Sequence, residues 1–159
     1  MPARTLVIKI TAGKEEPERC GQALNVAAAA LASGVAVSLW LTGESAWFAL
    51  PGRVEEVKLD HSPPLGDLLD SVLAAGTVTL CTQCAARRNI TPEDVIDGVR
   101  ISGAATFVAE VTADATQALV YYPGRGGPRR HPPLLLLIEK GGTVPPGGPS
   151  RLPEGAVPG

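Results

Sequence analysis

Two cysteines three residues apart, Cys81 and Cys84, stand in the run Thr77-Val78-Thr79-Leu80-Cys81-Thr82-Gln83-Cys84-Ala85-Ala86-Arg87-Arg88-Asn89-Ile90. It is the stretch of the chain whose residue types suit chemistry. An apolar strand pattern over Thr77–Leu80 passes directly into residues that favour helix. With the strand ending at Leu80 and the helix starting near Thr82, Cys81 occupies the turn and both thiols face the first helical turn. Unpaired backbone N–H groups there carry partial positive charge, and Arg87 and Arg88 follow closely. A thiolate is the attacking form of cysteine, and such surroundings lower the cost of making it. The spacing therefore predicts an acidified, reactive Cys81.

Four uses of the pair are open on the residues alone. Free cysteine often only fills buried space. A zinc site needs four ligands, and beyond the pair only Cys20, His61 and His131 remain, all distant and none paired. A thioredoxin-like dithiol shares the order strand, CxxC, helix, although Gly76–Leu80 carries no aromatic residue. The fourth use is a single nucleophilic cysteine that carries sulfur.

The run Leu80–Ile90 resembles the sulfur-relay DsrE-like family, in which a hydrophobic strand ends in a cysteine followed by a small-residue helix, Arg-Arg-Gly and an aliphatic residue. Cys81 falls on the family's persulfide-carrying cysteine, and Arg87 and Arg88 on its arginine pair. Asn89 replaces the usual glycine, and Asn also accepts the left-handed conformation that ends a helix. Cys84 departs from the family pattern: it either resolves the persulfide or protects Cys81 as a disulfide. The resemblance spans about Arg4 to Tyr122. It implies a sulfurtransferase-like carrier without cofactor or metal, with Cys81 catalytic, Cys84 secondary and Arg87 supporting the thiolate. Its implied partners are sulfur donor and acceptor proteins or small thiols. It also implies a homo-oligomer, commonly a trimer or hexamer. The rivals are a Cys81/Cys84 dithiol redox protein and a non-catalytic oligomeric module with buried thiols.

These side chains need a scaffold, and the 159 residues allow one domain with a proper core. Thr5–Ile10 reads as a buried strand and the segment from Pro17 to Ser33-Gly34 as a helix, with Val35–Leu41 as the second strand. Thr42–Ser45 opens a short helix through Leu50, and Ser62-Pro63-Pro64 starts another, carrying Leu65, Leu68, Leu69, Val72 and Leu73 on one side. After the cysteine strand, Thr91-Pro92-Glu93-Asp94 has the pattern of a helix start. Val99–Ile101 follows as a short strand, Ser102 as a cap, Gly103–Thr112 as a helix with Ala105, Val108 and Val111 inward, and Gln117–Tyr121 as the fifth strand.

Strands alternating with helices predict an α/β fold of three layers, Rossmann-like, with a mainly parallel five-stranded sheet covered on both faces. In such sheets chemistry gathers at the carboxyl ends of the strands, so the loops starting at Thr11, Thr42 and Cys81 should meet. Cys20, near the start of the first helix, either joins that edge or, the favoured reading, is a buried filler. The first loop lacks GxGxxG and GK[ST], which removes the support for a nucleotide enzyme.

The domain is expected over residues 1–122 and a proline- and glycine-rich tail over 123–159. The tail holds 9 of the 15 prolines and 9 of the 18 glycines. Such a composition predicts an extended or disordered segment, with Leu134–Ile138 as an apolar run that docks on the domain or on a neighbouring subunit. The net charge is −2, with no clustered basic face, which speaks against nucleic acid. Three cysteines make no disulfide framework and Met1–Lys9 has no long apolar core, so a reducing cytoplasm is the expected compartment. Cys20–Gly43 is uncharged and long enough to raise a membrane span. Its alanine content, Gln22, Asn25 and the Ser33-Gly34 break argue for a soluble helix and strand instead.

Overall fold

A computed structural model of the chain describes residues 4–124. The predicted tail from residue 125 on, with the run Leu134–Ile138, lies outside the described residues. In chain order the elements are β1 (Thr5–Ile10), α1 (Pro17–Ala32), β2 (Ala36–Leu41), a 3₁₀ segment (Gly43–Ala49), a second short one (Val54–Glu56), α2 (Leu65–Ala75), β3 (Thr77–Cys81), α3 (Thr82–Arg87), β4 (Val99–Ser102), α4 (Ala104–Val111) and β5 (Thr116–Tyr121). The five strands form one sheet in the order β4-β3-β2-β1-β5. Every pairing is parallel. The stretch Cys20–Gly43 supplies most of α1 and all of β2, and among the described residues no helix is long and apolar enough to cross a membrane.

The pleat divides the sheet into two unlike faces. Register places Leu6, Ile8 and Ile10 beside Val37, Leu39 and Leu41, and the last two beside Val78 and Leu80. These residues form the core with Cys20, Ala23, Leu24 and Ala27 of α1 and Leu65, Leu68, Leu69 and Val72 of α2. Each large side chain buried there contributes about 1.5–3 kcal/mol. The α1 helix stops at Gly34, whose positive φ of 77° lets Val35 N–H return to Ala30 O at 2.9 Å.

The opposite face presents Lys9, Ser38, Trp40, Thr79, Cys81, Arg100 and Ser102. The α4 helix lies over it, and none of the α4 residues is fully buried. The expected inward set is corrected here: Ala105 is exposed and Val108 is 55% exposed. Phe107 and Glu110 turn to the sheet instead. Phe107 packs edge-on against Trp40 with ring centroids 5.2 Å apart, and Lys9 Nζ sits 4.9 Å over its ring. Glu110 accepts from Ser38 Oγ at 2.7 Å, from Trp40 Nε1 at 2.8 Å and from Arg100, which also donates through Nε to Thr79 Oγ1 at 2.7 Å. A polar sheet face selects the polar side of the helix, because each buried donor needs an acceptor.

The expected helix at Thr91 also gives way. Residues 91–98 form turns, in which Thr91 N–H and Oγ1 donate to Asp94 Oδ2 at 2.8 and 2.9 Å. The side-chain bonding that suggested a helix start closes a local turn instead, and Gly98 at φ 93° leads into β4.

Candidate functional site

Cys81 is the last residue of β3 and the N-cap of α3, in extended backbone at φ −66° and ψ 126°. Cys84 is the third residue of α3, so the two thiols share one helical turn. The helix is short because Asn89 adopts φ 53°: its N–H returns to Ala86 O at 3.2 Å while Ile90 N–H returns to Ala85 O at 3.0 Å. That pair of bonds is the Schellman arrangement, and Asn89 supplies the left-handed residue it needs.

The three predicted loops meet at this edge. Thr42 N–H donates to Ile10 O at 3.0 Å and Glu44 N–H to Thr11 O at 3.1 Å, which ties the loop after β2 to the loop after β1. Ser45 Oγ donates to Ile10 O at 2.7 Å. Gly43 lies between these anchors at φ 53°, and a Cβ there would meet Thr11 O at 2.6 Å, so only glycine fits. Its N–H then points to the third loop and donates to Cys84 Sγ at 3.2 Å.

The three thiols have different electrostatics. Burial raises the pKa of Cys81, but the backbone N–H and side chain of Cys84, the backbone N–H of Gln83 and the Lys9 charge outweigh it, and the net shift is downward. Cys81 is half-buried, which leaves its sulfur reachable. Cys84 is buried, and that burial raises its pKa; Gly43 N–H and the Arg88 charge oppose the rise, whereas the neighbouring Cys81 adds to it. Cys20 lies at the same edge, fully buried, with its S–H donating to Gly13 O at 3.0 Å and Ala12 O at 3.3 Å. Burial together with Glu15 and Glu16 pushes its thiol up to about 12. Cys20 is the expected filler, inert at neutral pH.

The arginine pair splits. Arg87 is exposed and is not among the groups acting on either thiol. Arg88 is the inward one: Nη1 donates to Cys84 O at 3.2 Å, Nη2 pairs with Glu44 Oε1 at 2.6 Å, and the guanidinium lies 5.8 Å over the Trp47 ring. It thereby clamps α3 to the 3₁₀ segment that carries Gly43. Reasoning from the sequence missed Lys9, Gly43, Glu44 and Trp47. Lys9 had a signal, being the only charge inside the first strand.

An all-parallel sheet with a thiol at a strand's carboxyl end, beside its neighbours' loops, defines an α/β protein whose chemistry would be that of cysteine. The chain belongs to the DsrE/DsrF-like family, whose model matches residues 5–119. An uncharacterized protein of Methanocaldococcus jannaschii is 31% identical over 104 residues, which cover 65% of this chain and 38% of that protein. The chain thus spans well under half the length of this relative. The solved structure of the ychN protein from E. coli superposes with a TM-score of 0.58 at 21% identity, covering 74% of this chain and 99% of that one. At that identity the likeness is one of fold, and it agrees with the five-stranded parallel α/β architecture.

Proposed function

We propose that the protein is a small sulfur carrier that accepts sulfane sulfur as a persulfide on Cys81 and passes it to a partner. The observation that carries this reading is the setting of Cys81: a reachable thiol at the end of β3, flanked by the N–H groups of Gln83 and Cys84 and by the Lys9 charge. The same groups would stabilise a persulfide anion, which places its charge one atom further out. Family membership supports sulfur relay in general. Arg87 keeps a supporting role in this reading, beside Lys9 for Cys81 and Arg88 for Cys84. Donor and acceptor are other proteins or small thiols, the compartment is the cytoplasm, and the working form is a homo-oligomer, a trimer or hexamer. No added cofactor, nucleic acid or membrane enters this cycle.

The test is intact-mass measurement after brief anaerobic treatment with inorganic polysulfide. A gain of one sulfur atom that maps to Cys81 in the Cys84→Ser variant and vanishes in Cys81→Ser is the expected result. No gain in any form of the folded protein would leave the fold with another use. A second reading, a dithiol redox protein, is favoured by one observation: Cys81 caps the helix whose first turn carries Cys84. It predicts reversible Cys81–Cys84 oxidation by small disulfides with no uptake of sulfur.

A further inference from the structure

The two buried thiols at this edge are hydrogen-bonded with opposite polarity. Cys20 Sγ faces two carbonyl oxygens, Ala12 O and Gly13 O, so only its protonated form is satisfied. Cys84 Sγ faces a donor, the Gly43 N–H at 3.2 Å, and Arg88 is anchored on the Cys84 carbonyl. A space-filling cysteine needs neither a fixed N–H nor a guanidinium beside it. Those groups stabilise negative charge on sulfur, which develops when the thiol acts as a nucleophile. Yet Cys84 is only 7% exposed, so a donor protein cannot reach it directly. The sulfur it can meet is the one in its own helical turn.

We propose that Cys84 discharges the carrier: its sulfur attacks Cys81 Sγ of the Cys81 persulfide, forming the Cys81–Cys84 disulfide and expelling hydrosulfide. This rests on the reading of Cys81 as the persulfide carrier. The Sγ–Sγ bond between the cysteines forms as the bond from Cys81 Sγ to the terminal sulfur breaks. The Cys84 proton leaves with that terminal sulfur as HS⁻. The terminal sulfur gains the two electrons that the cysteine pair loses, so no outside oxidant is needed. An external dithiol, or two small thiols, then reduces the disulfide and is itself oxidised to a disulfide. Spacing permits the closure: residues three apart on a helix have Cβ atoms roughly 5–6 Å apart. A disulfide needs them at about 3.5–4.5 Å, a small movement for a capping residue. The direction is built in, since sulfur loads on the reachable thiol and is released by the buried one. The activity is thus the reductive release of sulfane sulfur as hydrosulfide, with a thiol as final reductant.

The experiment uses the full chain, reduced and anaerobic, with inorganic polysulfide as donor, rapid desalting, and then intact mass, peptide mapping and hydrosulfide measurement over time. Wild type is expected to end without added sulfur and two hydrogens lighter, with Cys81 and Cys84 linked, and with hydrosulfide appearing as persulfide mass is lost. Cys84→Ser is expected to keep its added sulfur and release none, and wild type without donor to keep both thiols. If wild type and Cys84→Ser both retain the sulfur stably, the discharge step is wrong while the carrier reading stands. If neither takes up sulfur and wild type keeps both thiols, the carrier reading itself fails. A wild-type disulfide with no uptake by Cys84→Ser would show direct oxidation of the pair and overturn the proposal. Should Cys84→Ser misfold, Cys84→Ala takes its place in the same comparison, and a stable wild-type persulfide with Cys84 still open to alkylation overturns discharge by itself.

Discussion

At the scale of single residues, three cysteines within one strand-end region are set to three different reactivities. Cys81 is lowered, Cys84 is raised and Cys20 is raised to about 12. Alkylation at neutral pH is therefore expected to be fastest at Cys81 and slowest at Cys20, measured by peptide-resolved labelling. Cys81→Ser removes a neighbour that raises the Cys84 pKa, so labelling of Cys84 should extend to lower pH in that variant. Lys9→Met removes a charge that lowers the Cys81 pKa, and labelling of Cys81 at neutral pH should slow. An unchanged Cys81 profile in Lys9→Met would remove Lys9 from the site. The cysteine pair and its place at a strand end were legible in the sequence because both are local: an apolar run, a turn and a helix start. Lys9 was not. It reaches Cys81 only because β2 separates β1 from β3, and strand order is not a local property. The division between Arg87 and Arg88 was equally hidden. One residue turns a helix by about a quarter of its circumference, and where α3 ends decides which guanidinium faces Glu44.

At the scale of elements, α4 is held to the sheet by a polar cluster beside one aromatic contact, Phe107 against Trp40. Glu110 is the hub, bonded to Ser38, Trp40 and Arg100. Burial raises its pKa, but these three partners outweigh it and the net shift is downward. A carboxylate whose folded pKa lies below its unfolded value contributes stability that is present above the unfolded value and lost as pH falls through the folded one. Wild type should accordingly hold a stability advantage over Glu110→Gln at neutral pH and lose it as pH falls below the ordinary glutamate range of about 4. Glu110→Ala should destabilise by about 1–3 kcal/mol, since it orphans buried donors. Equal denaturant midpoints for wild type and Glu110→Ala would show that the latch contributes nothing. Gly43→Ala tests the other polar junction. The new Cβ would clash with Thr11 O in a left-handed backbone, at a cost of about 1–3 kcal/mol. The Gly43 N–H should leave Cys84, whose labelling should move to higher pH. The helix periodicity of Gly103–Thr112 was readable, but its phase was not. Valine and alanine look inward to a pattern reader, whereas the sheet beneath offered Ser38, Trp40 and Arg100 and claimed the opposite side.

At the scale of the whole molecule, α1 and α2 cover one face of the sheet and α4 lies on the other. The β5 edge has no strand partner among the described residues beyond β1, and Leu119, Val120 and Tyr122 are exposed there at 39, 51 and 62%. An open edge with apolar side chains pairs readily with another chain. Under the proposed homo-oligomer, wild type should sediment well above monomer mass, and Val120→Glu should shift it toward monomer with an unchanged far-ultraviolet spectrum. A wild type that stays monomeric at high concentration would remove the oligomer from the working form. The alternation of strand and helix made the α/β class and the parallel sheet legible. The place of β5 beside β1 was not, because strand order is not a local property.

The strand order also governs how the chain can be made. β1 is translated before the other four described strands, yet in the finished sheet it lies between β2 and β5, with β5 pairing along its whole length from Thr5↔Thr116 to Ile10↔Tyr121. During synthesis the first four strands can assemble while one flank of β1 still waits for a partner more than a hundred residues away. For that interval the nascent sheet carries a bare edge of Leu6, Val7 and Ile8 next to the ribosome, where another nascent copy of the same chain can offer its own strand. Correct folding then becomes a race between elongation through Tyr121 and capture by a neighbour. Slowing translation between β4 and β5 should raise the aggregated fraction without altering the stability of the protein that does fold.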